Sequence, residues 1–251
     1  MTQTILTVDL EYDWESNGIK NLLLIPKILD FFKSNNIEAT FFIVGSLVEK
    51  NEELIKEISK KHEIANHSFS HRFLDKLPKE ELENEVVEPK RILQELKIKC
   101  DGFRAPYGAI PKDLFELLER HNYKYDSSVF NSLFLGRYAH FKRLGVHKRG
   151  KIIEIPTDRF FMMPFGLSYV RLLYPLSMHL VPKKPTSFYF HPHEFLEDAP
   201  GKEINFFVRK LNGINRGKKA WGIFEKLIRK LQDSEIEFIS CRRFLDSQSF
   251  S

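Results

Sequence analysis

Cysteine is scarce in this sequence, with only Cys100 and Cys241 among its 251 residues. Two thiols cannot build a disulfide framework, and their spacing is not that of a metal site, so we expect both to be buried or incidental. An excess of one charge is also lacking. The formal net charge is +5, which is mild for a chain this long and does not indicate nucleic-acid binding.

No uninterrupted apolar run is long enough for a membrane span. Residues 160–184 are apolar and aromatic, but Pro164, Arg171 and Pro175 interrupt them. The N-terminal segment MTQTILTVDLEYDW shows no basic leader with an apolar run and a cleavage site, so we expect no secretory signal and a cytoplasmic protein. Linkers, repeats and low-complexity tracts are missing too, which predicts one domain over residues 1–251.

Short apolar or aromatic runs alternate with helical patterns along the whole chain. The predicted strands are 5–11, 39–45, 63–67, 102–107, 123–129, 151–157, 187–193 and 236–240, and the predicted helices are 25–36, 79–96, 112–122 and 219–233. Such alternation predicts an α/β fold with a largely parallel sheet. The number of strands favours a single-domain distorted (β/α) barrel of about seven strands over a small open sheet.

The polar residues best suited to chemistry fall in or at the ends of these predicted strands. They are Asp9, Glu11, His67, Arg104, Asp126, His191 and His193. In β/α barrels the active site forms at the carboxyl ends of the strands. The placement therefore predicts one site that gathers these side chains.

A first candidate for metal binding is the pair His67 and His71, four positions apart in NHSFSH. If the chain turns helically here, both imidazoles project from one face and can share an ion. The alternative is a solvated helix start in which His71 caps or hydrogen bonds.

A second candidate is the acidic end of the first strand. Asp9 and Glu11 alternate in sequence, so an extended strand points both carboxylates to one face. Two neighbouring carboxylates need a cation or an arginine to offset their repulsion. The alternative is an exposed acidic strand end. Asp13, two positions further on, is a reserve ligand.

Three further residues would support such a site. Arg104 lies in a strand that reads as buried and needs an anionic partner, which Asp9 or Glu11 could be; it could instead pair at the surface. Asp126 stands in an otherwise apolar strand, where it is either functional or a capping or turn residue. His191 and His193 share a strand face, and Pro192 marks the end of that strand.

Taken in order, five segments resemble the NodB-homology polysaccharide deacetylases, carbohydrate esterase family 4. The segments are TVDLE, NHSFSH, FRAPYG, YDSS and FYFHPHEF, and the resemblance spans roughly residues 4–245. One departure stands out. The common family pattern T-F-D-D-G is replaced by T-V-D-L-E, which resembles a D-x-E subgroup that includes deacetylases of exopolysaccharide and surface-glycan assembly.

The resemblance implies a metal-dependent sugar N-deacetylase. Its metal ligands would be Glu11, His67 and His71, its ion zinc, its general base Asp9 and its general acid His191. It further implies that the backbone N–H of Tyr107 stabilises the oxyanion, that Arg104 orients Asp9 and that Asp126 tunes His191.

The expected substrate is an N-acetylated amino sugar in a glycan or glycan precursor. Residues 137–151 are basic and aromatic, and residues 160–184 are apolar with basic flanks. Either stretch could be ordinary surface or helix. The sharper hypothesis is that 137–184 contacts an anionic membrane face and admits a lipid-linked sugar.

Three alternatives stay open. One is an allantoinase-like hydrolase of a cyclic amide, and another is a catalytically silent sugar-binding relative. Nucleic-acid binding rests only on the basic stretch and is the weakest of the three.

Overall fold

The computed structural model describes residues 2–13, 18–133, 144–198 and 206–248, with the backbone alone for 206–209. Its strands are β1 (Thr2–Leu10), β2 (Thr40–Ile43), β3 (Glu63–Asn66), β4 (Gly102–Phe103), β5 (Tyr125–Asp126), β6 (His147–Arg149), β7 (Ile152–Glu154), β8 (Arg159–Phe160), β9 (Met163–Pro164), β10 (Ser187–Phe190) and β11 (Ile236–Ile239). Its helices are α1 (Ile25–Ser34), α2 (Gly45–Val48), α3 (Glu52–Ser59), α4 (Lys79–Glu95), α5 (Leu114–Arg120), α6 (Leu167–Leu172), α7 (Ser177–Leu180), α8 (Phe206–Gly213), α9 (Lys218–Gln232) and α10 (Cys241–Ser247).

The main sheet follows the order β10-β1-β2-β3-β4-β5-β7-β6, and β11 pairs with β1 as its ninth strand. All pairings within it are parallel except that of β6 with β7. The predicted α/β fold with a curled, barrel-like sheet is confirmed. All eight predicted strands are present, while β6 and the separate β8–β9 hairpin were not predicted.

Among the described residues the curled sheet does not close through a strand ladder. A single backbone bridge between Gly166 and Tyr189 of β10, together with side-chain contacts, spans its open side. After β7, the backbone N–H of Asp158 donates to Ser187 Oγ over 2.9 Å, and the Asp158 carboxylate accepts from the N–H of Thr186 over 2.8 Å. These contacts hold the segment after β7 against the start of β10.

Alternation along β1 separates two apolar layers. Leu6, Val8 and Leu10 face outward into the main core between the sheet and its helices, whereas Ile5 faces a smaller cluster inside the curl. Cys241, at the start of α10, belongs to that inner cluster. The interior is therefore packed at the amino ends of the strands, which leaves the carboxyl ends for a site.

The two long predicted helices at the ends of the chain pack as their apolar spacing indicates. Phe32 of α1 and Phe224 of α9 both contact the ring of Phe190 in β10, with ring centroids 6.3 and 4.8 Å apart. Their burial anchors the strand that leads to His191. No helix in the described parts of the chain has both the length and the apolarity needed to cross a membrane.

Candidate active site

The carboxyl end of β1 places Asp9 and Glu11 on the same side, as strand alternation predicts, and both line one pocket. Asp13 lies elsewhere, because its two carboxylate oxygens accept from the backbone N–H groups of Lys20 and Asn21 at 2.8 and 2.9 Å. The reserve ligand Asp13 thus caps a turn, and Glu11 is the acidic residue that faces the histidines.

His67 and His71 converge from a loop instead of the helical turn that their spacing suggested. Ser68 and His71 adopt left-handed backbone conformations with φ of 63° and 59°. The two rings lie 5.1 Å apart between centroids. Glu85 of α4 fixes the loop between them, since its carboxylate accepts from the N–H groups of Phe69 and Ser70 at 2.9 and 2.8 Å.

Glu11, His67 and His71 form a compact group of candidate metal ligands. Oε2 of Glu11 lies 2.5 Å from Nε2 of His71 and 3.8 Å from Nε2 of His67. Nδ1 of His67 lies 2.8 Å from the carbonyl oxygen of Arg104. A proton shared there assigns Nδ1 as the donor and leaves the lone pair of Nε2 for an ion. One carboxylate and two imidazoles fit a zinc-type donor set with an open position.

Arg104 is buried beneath Asp9, and all three nitrogens of its guanidinium group donate hydrogen bonds. Nη1 donates to Asp9 Oδ1 over 2.6 Å and to Thr7 Oγ1 over 2.9 Å. Nε and Nη2 donate to the carbonyl and hydroxyl oxygens of Ser127 at 3.0 and 2.8 Å. The structure thus brings together Asp9 and the arginine that the sequence assigned to orient it.

His191 lies just after β10 and faces carboxylates on two sides. Its Nε2 is 3.7 Å from Asp9 Oδ2, and its Nδ1 is 3.4 Å from Glu194 Oε1. Burial opposes protonation of this ring, but the negative charges of Glu11, Glu194 and Asp9 outweigh burial and raise the pKa of His191 to about 9. In the metal-free protein the imidazole is therefore protonated at neutral pH.

The charge of Glu11 responds to the same cluster. Burial opposes ionisation of its carboxyl group, yet the neighbouring imidazoles of His71 and His191 hold its pKa well below the ordinary value. Glu11 is thus an anion ready to bind a cation.

Asp126 does not contact His191, the residue that the resemblance implied it would tune. Its carboxylate accepts from the backbone N–H and the hydroxyl of Ser128, at 3.0 and 2.6 Å, and it sits opposite Glu154 in the β5–β7 pairing. The described carboxylate in contact with Nδ1 of His191 is that of Glu194. The structure does not bring Asp126 into contact with His191, because the Asp126 carboxylate is turned toward Ser128.

The sequence analysis missed two residues of this site, Glu194 and Arg171. Glu194 is three positions from His191 on the short helical turn Pro192–Phe195, and its other oxygen accepts from Nε of Arg171 at 2.7 Å. Both side chains are fully buried. The proximity of Glu194 to His191 was readable in HPHE, but the pairing with Arg171 across 23 positions was not.

His193 was noted only as sharing a strand face with His191, and the structure gives it a contact of its own. Its ring is fully buried, and Nε2 lies 3.2 Å from Oε1 of Glu11. Glu11, His191 and His193 form a second group of potential ligand atoms within 4.8 Å of one another.

Tyr107 lies at the rim of the pocket in a left-handed conformation with φ of 56°. Its ring stacks on Phe73, with centroids 4.2 Å apart, and packs against His71 at 4.8 Å. The role assigned to its backbone N–H stays a prediction. The pocket has a volume of about 170 Å³ and is open to solvent, and its walls include Phe130, Pro164 and Tyr189.

Comparison with known proteins extends these observations. Residues 5–125 match the polysaccharide deacetylase family model. A stretch of 105 residues is 35% identical to a peptidoglycan-N-acetylglucosamine deacetylase of Bacillus cereus and covers 41% of this chain and 38% of that protein. A stretch of 97 residues is 29% identical to a chitooligosaccharide deacetylase of Sinorhizobium fredii and covers 38% and 45%. The chain thus spans less than half the length of these relatives.

Solved structures share the fold over nearly the whole chain. The peptidoglycan deacetylase PdaC from Bacillus subtilis matches with a TM-score of 0.58 and 16% identity, covering 98% of this chain and 90% of that one. A pseudoenzyme of carbohydrate esterase family 4 from Bacillus anthracis matches with a TM-score of 0.63 and 14% identity, covering 98% and 66%. At these identities the likeness shows the fold alone.

Proposed function

We propose that the chain is a metal-dependent hydrolase of the N-acetyl group of an amino sugar, and the match of residues 5–125 to the polysaccharide deacetylase family model supports this. The observation that carries this proposal is the arrangement within one pocket. Asp9 and His191 flank the group formed by Glu11, His67 and His71, and all five side chains line the same cavity. A base, an acid and a set of metal ligands are thus within reach of one small substrate group.

A divalent ion held by Glu11, His67 and His71, with zinc the expected metal, would supply Lewis-acid activation of the attacking water and of the acetyl carbonyl. Asp9 accepts the proton of that water as it adds to the carbonyl carbon. The hydrogen bond from Arg104 fixes Oδ1 of Asp9, so Oδ2 is the oxygen directed to the pocket. The backbone N–H of Tyr107 is assigned to the carbonyl oxygen as it becomes negative.

His191 completes the reaction as the general acid. Its protonated ring transfers a proton to the sugar nitrogen while the bond between carbon and nitrogen breaks, so the products are acetate and a free amine. Glu194 accepts from the backbone N–H of His191 at 3.2 Å and faces Nδ1, which orients Nε2 toward the pocket. Arg171 in turn holds Glu194, so a buried chain of charges positions the acid.

Purified protein tests this proposal directly. We expect about one divalent ion per chain and acetate release that a chelator abolishes and added metal restores. His67→Ala should lose both the ion and the activity. Full activity in a His67→Ala variant that carries no metal would contradict the proposal.

The same assay separates the alternatives when the substrates are varied. Acetate release from nucleotide-linked, lipid-linked or polymeric N-acetyl sugars supports a sugar deacetylase in surface-polysaccharide synthesis. Hydrolysis of a cyclic amide without acetate release would support the allantoinase-like alternative. Glycan binding without hydrolysis would identify a silent sugar-binding relative.

We further propose that the substrate is lipid-linked and that the protein acts at the cytoplasmic face of an anionic membrane. Apolar side chains are exposed on the elements beside the pocket, most of all Phe161 between β8 and β9 and Leu176 before α7, at 62% and 60%. No acidic residue occurs from Arg159 to His193, whereas Lys183 and Lys184 follow α7. Apolar anchors with basic neighbours favour an anionic bilayer. Residues 137–143, part of the stretch assigned to this contact, lie outside the described residues.

Vesicle co-sedimentation tests the membrane contact. We expect binding that rises with the fraction of anionic lipid and falls in a double variant, Phe161→Ser with Leu176→Ser. Leu23→Ser is a matched control, because Leu23 is also exposed, at 81%, but lies outside the stretch from Arg159 to His193. Binding that ignores anionic lipid, or an equal loss in both variants, would exclude this surface.

A further inference from the structure

The two oxygens of Glu11 face different partners. Oε2 faces the histidines of the loop, at 2.5 Å from Nε2 of His71 and 3.8 Å from Nε2 of His67. Oε1 faces away from them and lies 3.2 Å from Nε2 of His193. A carboxylate with both oxygens free can rotate and bind an ion through one oxygen or through two. The contact with His193 therefore bears on how Glu11 binds an ion.

The ring of His193 is buried and held between Glu11 and His191. The imidazole of His193 is fully inaccessible to solvent. The ring stacks on His191 with centroids 4.9 Å apart. Nη2 of Arg216 donates to the backbone oxygen of His193 over 2.6 Å. An N–H group on Nε2 can donate to one acceptor, and Oε1 of Glu11 is 3.2 Å away.

We propose that His193 is a positioning residue that donates from Nε2 to Oε1 of Glu11 and thereby presents Oε2 alone to the metal. This inference rests on the proposed metal-dependent function. Partners behind a metal ligand fix its orientation and commonly change metal affinity by 10- to 100-fold when they are removed. The turn after β10 would then supply three residues to the site: His191 as the general acid, His193 to position Glu11, and Glu194 to orient His191.

A competing arrangement uses the same atoms differently. Because Glu11, His191 and His193 also lie within 4.8 Å of one another, His193 could instead be a ligand of a second ion. The two arrangements differ in the number of ions per chain, which is one under our proposal and two under the alternative.

Two substitutions separate a donor from a space-filling role. H193Q keeps an N–H group at about the reach of Nε2, whereas H193N has the same amide on a shorter side chain that does not reach Oε1. Both put an amide into the same buried space, so their costs to folding are similar. Metal affinity is measured by competition with a chromophoric chelator, metal content by elemental analysis, and the melting temperature in excess chelator.

We expect H193N to bind zinc roughly 10- to 100-fold more weakly than the parent and H193Q to stay within about threefold. In excess chelator the two variants should melt at similar temperatures, because the difference lies in metal binding and not in folding. At saturating zinc, kcat of H193N should recover toward that of H193Q.

Equal zinc affinity in H193N and the parent would overturn the inference, and so would an equal loss in H193Q and H193N. Two ions in the parent and one in both variants would assign His193 to a second metal. If the parent itself binds no divalent ion, the proposed function fails instead, so the two failures are distinguishable.

Discussion

Two buried carboxyl groups lie side by side beneath the site, those of Asp126 and Glu154. They are opposite one another in the pairing of β5 with β7, and neither is accessible to solvent. Burial raises the pKa of both groups, and the negative charge of Asp126 raises that of Glu154 further. A buried carboxyl group beside a second carboxylate keeps a proton that an isolated carboxyl group would lose, and here Glu154 is the group that keeps it.

This pair predicts a pH-dependent effect of Glu154→Gln. A group whose pKa is raised on folding adds stability below its unfolded pKa, and that stability is lost as pH rises through the folded pKa. The parent should lose this contribution on going from pH 4 to pH 8, and the variant should not. Glutamine can still accept from the N–H of Val129, as Glu154 does over 3.1 Å. We expect the variant to be more stable at pH 8 by roughly 1 kcal/mol.

Urea unfolding at a series of pH values measures this difference. Near pH 4 the two proteins should have similar free energies of unfolding, because Glu154 is neutral there. A difference that is the same at every pH, or a variant less stable at pH 8, would contradict the shared-proton interpretation.

Removing the general acid should affect turnover far more than folding. His191→Ala removes the ring nitrogen Nε2, which lies 3.7 Å from Asp9 Oδ2, and we expect kcat for acetate release to fall roughly 10²- to 10⁴-fold. His121→Ala is a matched control. His121 follows the end of α5, contacts Glu83 of α4 and does not line the pocket. A loss below threefold in His191→Ala would show that another group protonates the amine.

The position of a site residue could be predicted where it depends on the alternation of side chains along a single strand. Alternation in β1 predicted that Asp9 and Glu11 share a face, and the burial of Arg104 predicted an acidic partner. The partner of His191 was not predictable in the same way. Glu194 competes with Asp126 for that role, and only the path of the chain after β10 decides between them, because local turn geometry is not determined by residue type alone.

The loop between β3 and α4 carries two of the three candidate ligands, and α4 determines its shape. Besides its bonds to the loop backbone, Glu85 contacts Arg72 at 3.0 Å, and its side chain is 2% exposed. Gly45 allows the start of α2 to pack closely against α4, since a Cβ at this position would lie only 2.7 Å from Cγ of Pro89 in α4. The left-handed conformations of Ser68 and His71 persist because these contacts hold them.

Glu85→Ala should therefore weaken both the fold and the metal site. Loss of a buried acceptor leaves the N–H groups of Phe69 and Ser70 without their carboxylate, which we expect to cost about 2–3 kcal/mol in the free energy of unfolding. Zinc affinity should fall as well, because the candidate ligand His71 directly follows Ser70 in the chain and its position depends on the same loop backbone. Glu81→Ala is the matched control: Glu81 also contacts Arg72, at 2.6 Å, but its side chain is 47% exposed, so we expect a cost below about 0.5 kcal/mol.

Chelator titration and urea unfolding of both variants provide the measurement. Equal effects of the two substitutions would show that Arg72, and not the loop backbone, is what Glu85 supports.

Elements with strong periodicity were predicted well, and short ones were not. Both ends of α1, α4, α5 and α9 lie within two residues of the predicted ends, because each helix buries one apolar stripe. β4 is only Gly102–Phe103, much shorter than the predicted 102–107, since the chain leaves the ladder at Arg104 to turn through Pro106–Gly108. β8 and β9 have two residues each, too few for a period to be read.

The general architecture followed from alternation of strands and helices, whereas the open side of the curl did not. Whether a sheet closes depends on contacts between distant segments, such as those of Asp158 with residues 186–187, which no local pattern encodes. The same geometry explains the site. Parallel strands with a packed interior at one end present their polar termini together at the other, so residues far apart in sequence become neighbours.

This gathering of distant segments makes metal binding a global stabiliser. Glu11 follows β1 and His67 follows β3, so an ion held by both would link strands that are separated in the chain by more than one helix. An ion that binds only the folded state at 100 times its dissociation constant stabilises that state by about 2.7 kcal/mol. For a chain of this size, each kcal/mol corresponds to roughly 2–4 °C in melting temperature.

Treatment with excess chelator should consequently lower the melting temperature of the parent by about 5–10 °C, and added zinc should restore it. Glu11→Gln removes the ligand charge, and its melting temperature should not respond to zinc or chelator. His121→Ala, which leaves the ligands in place, should respond like the parent. A parent that melts at the same temperature with and without chelator would show that these strand ends hold no ion of structural consequence, even if the pocket binds substrate.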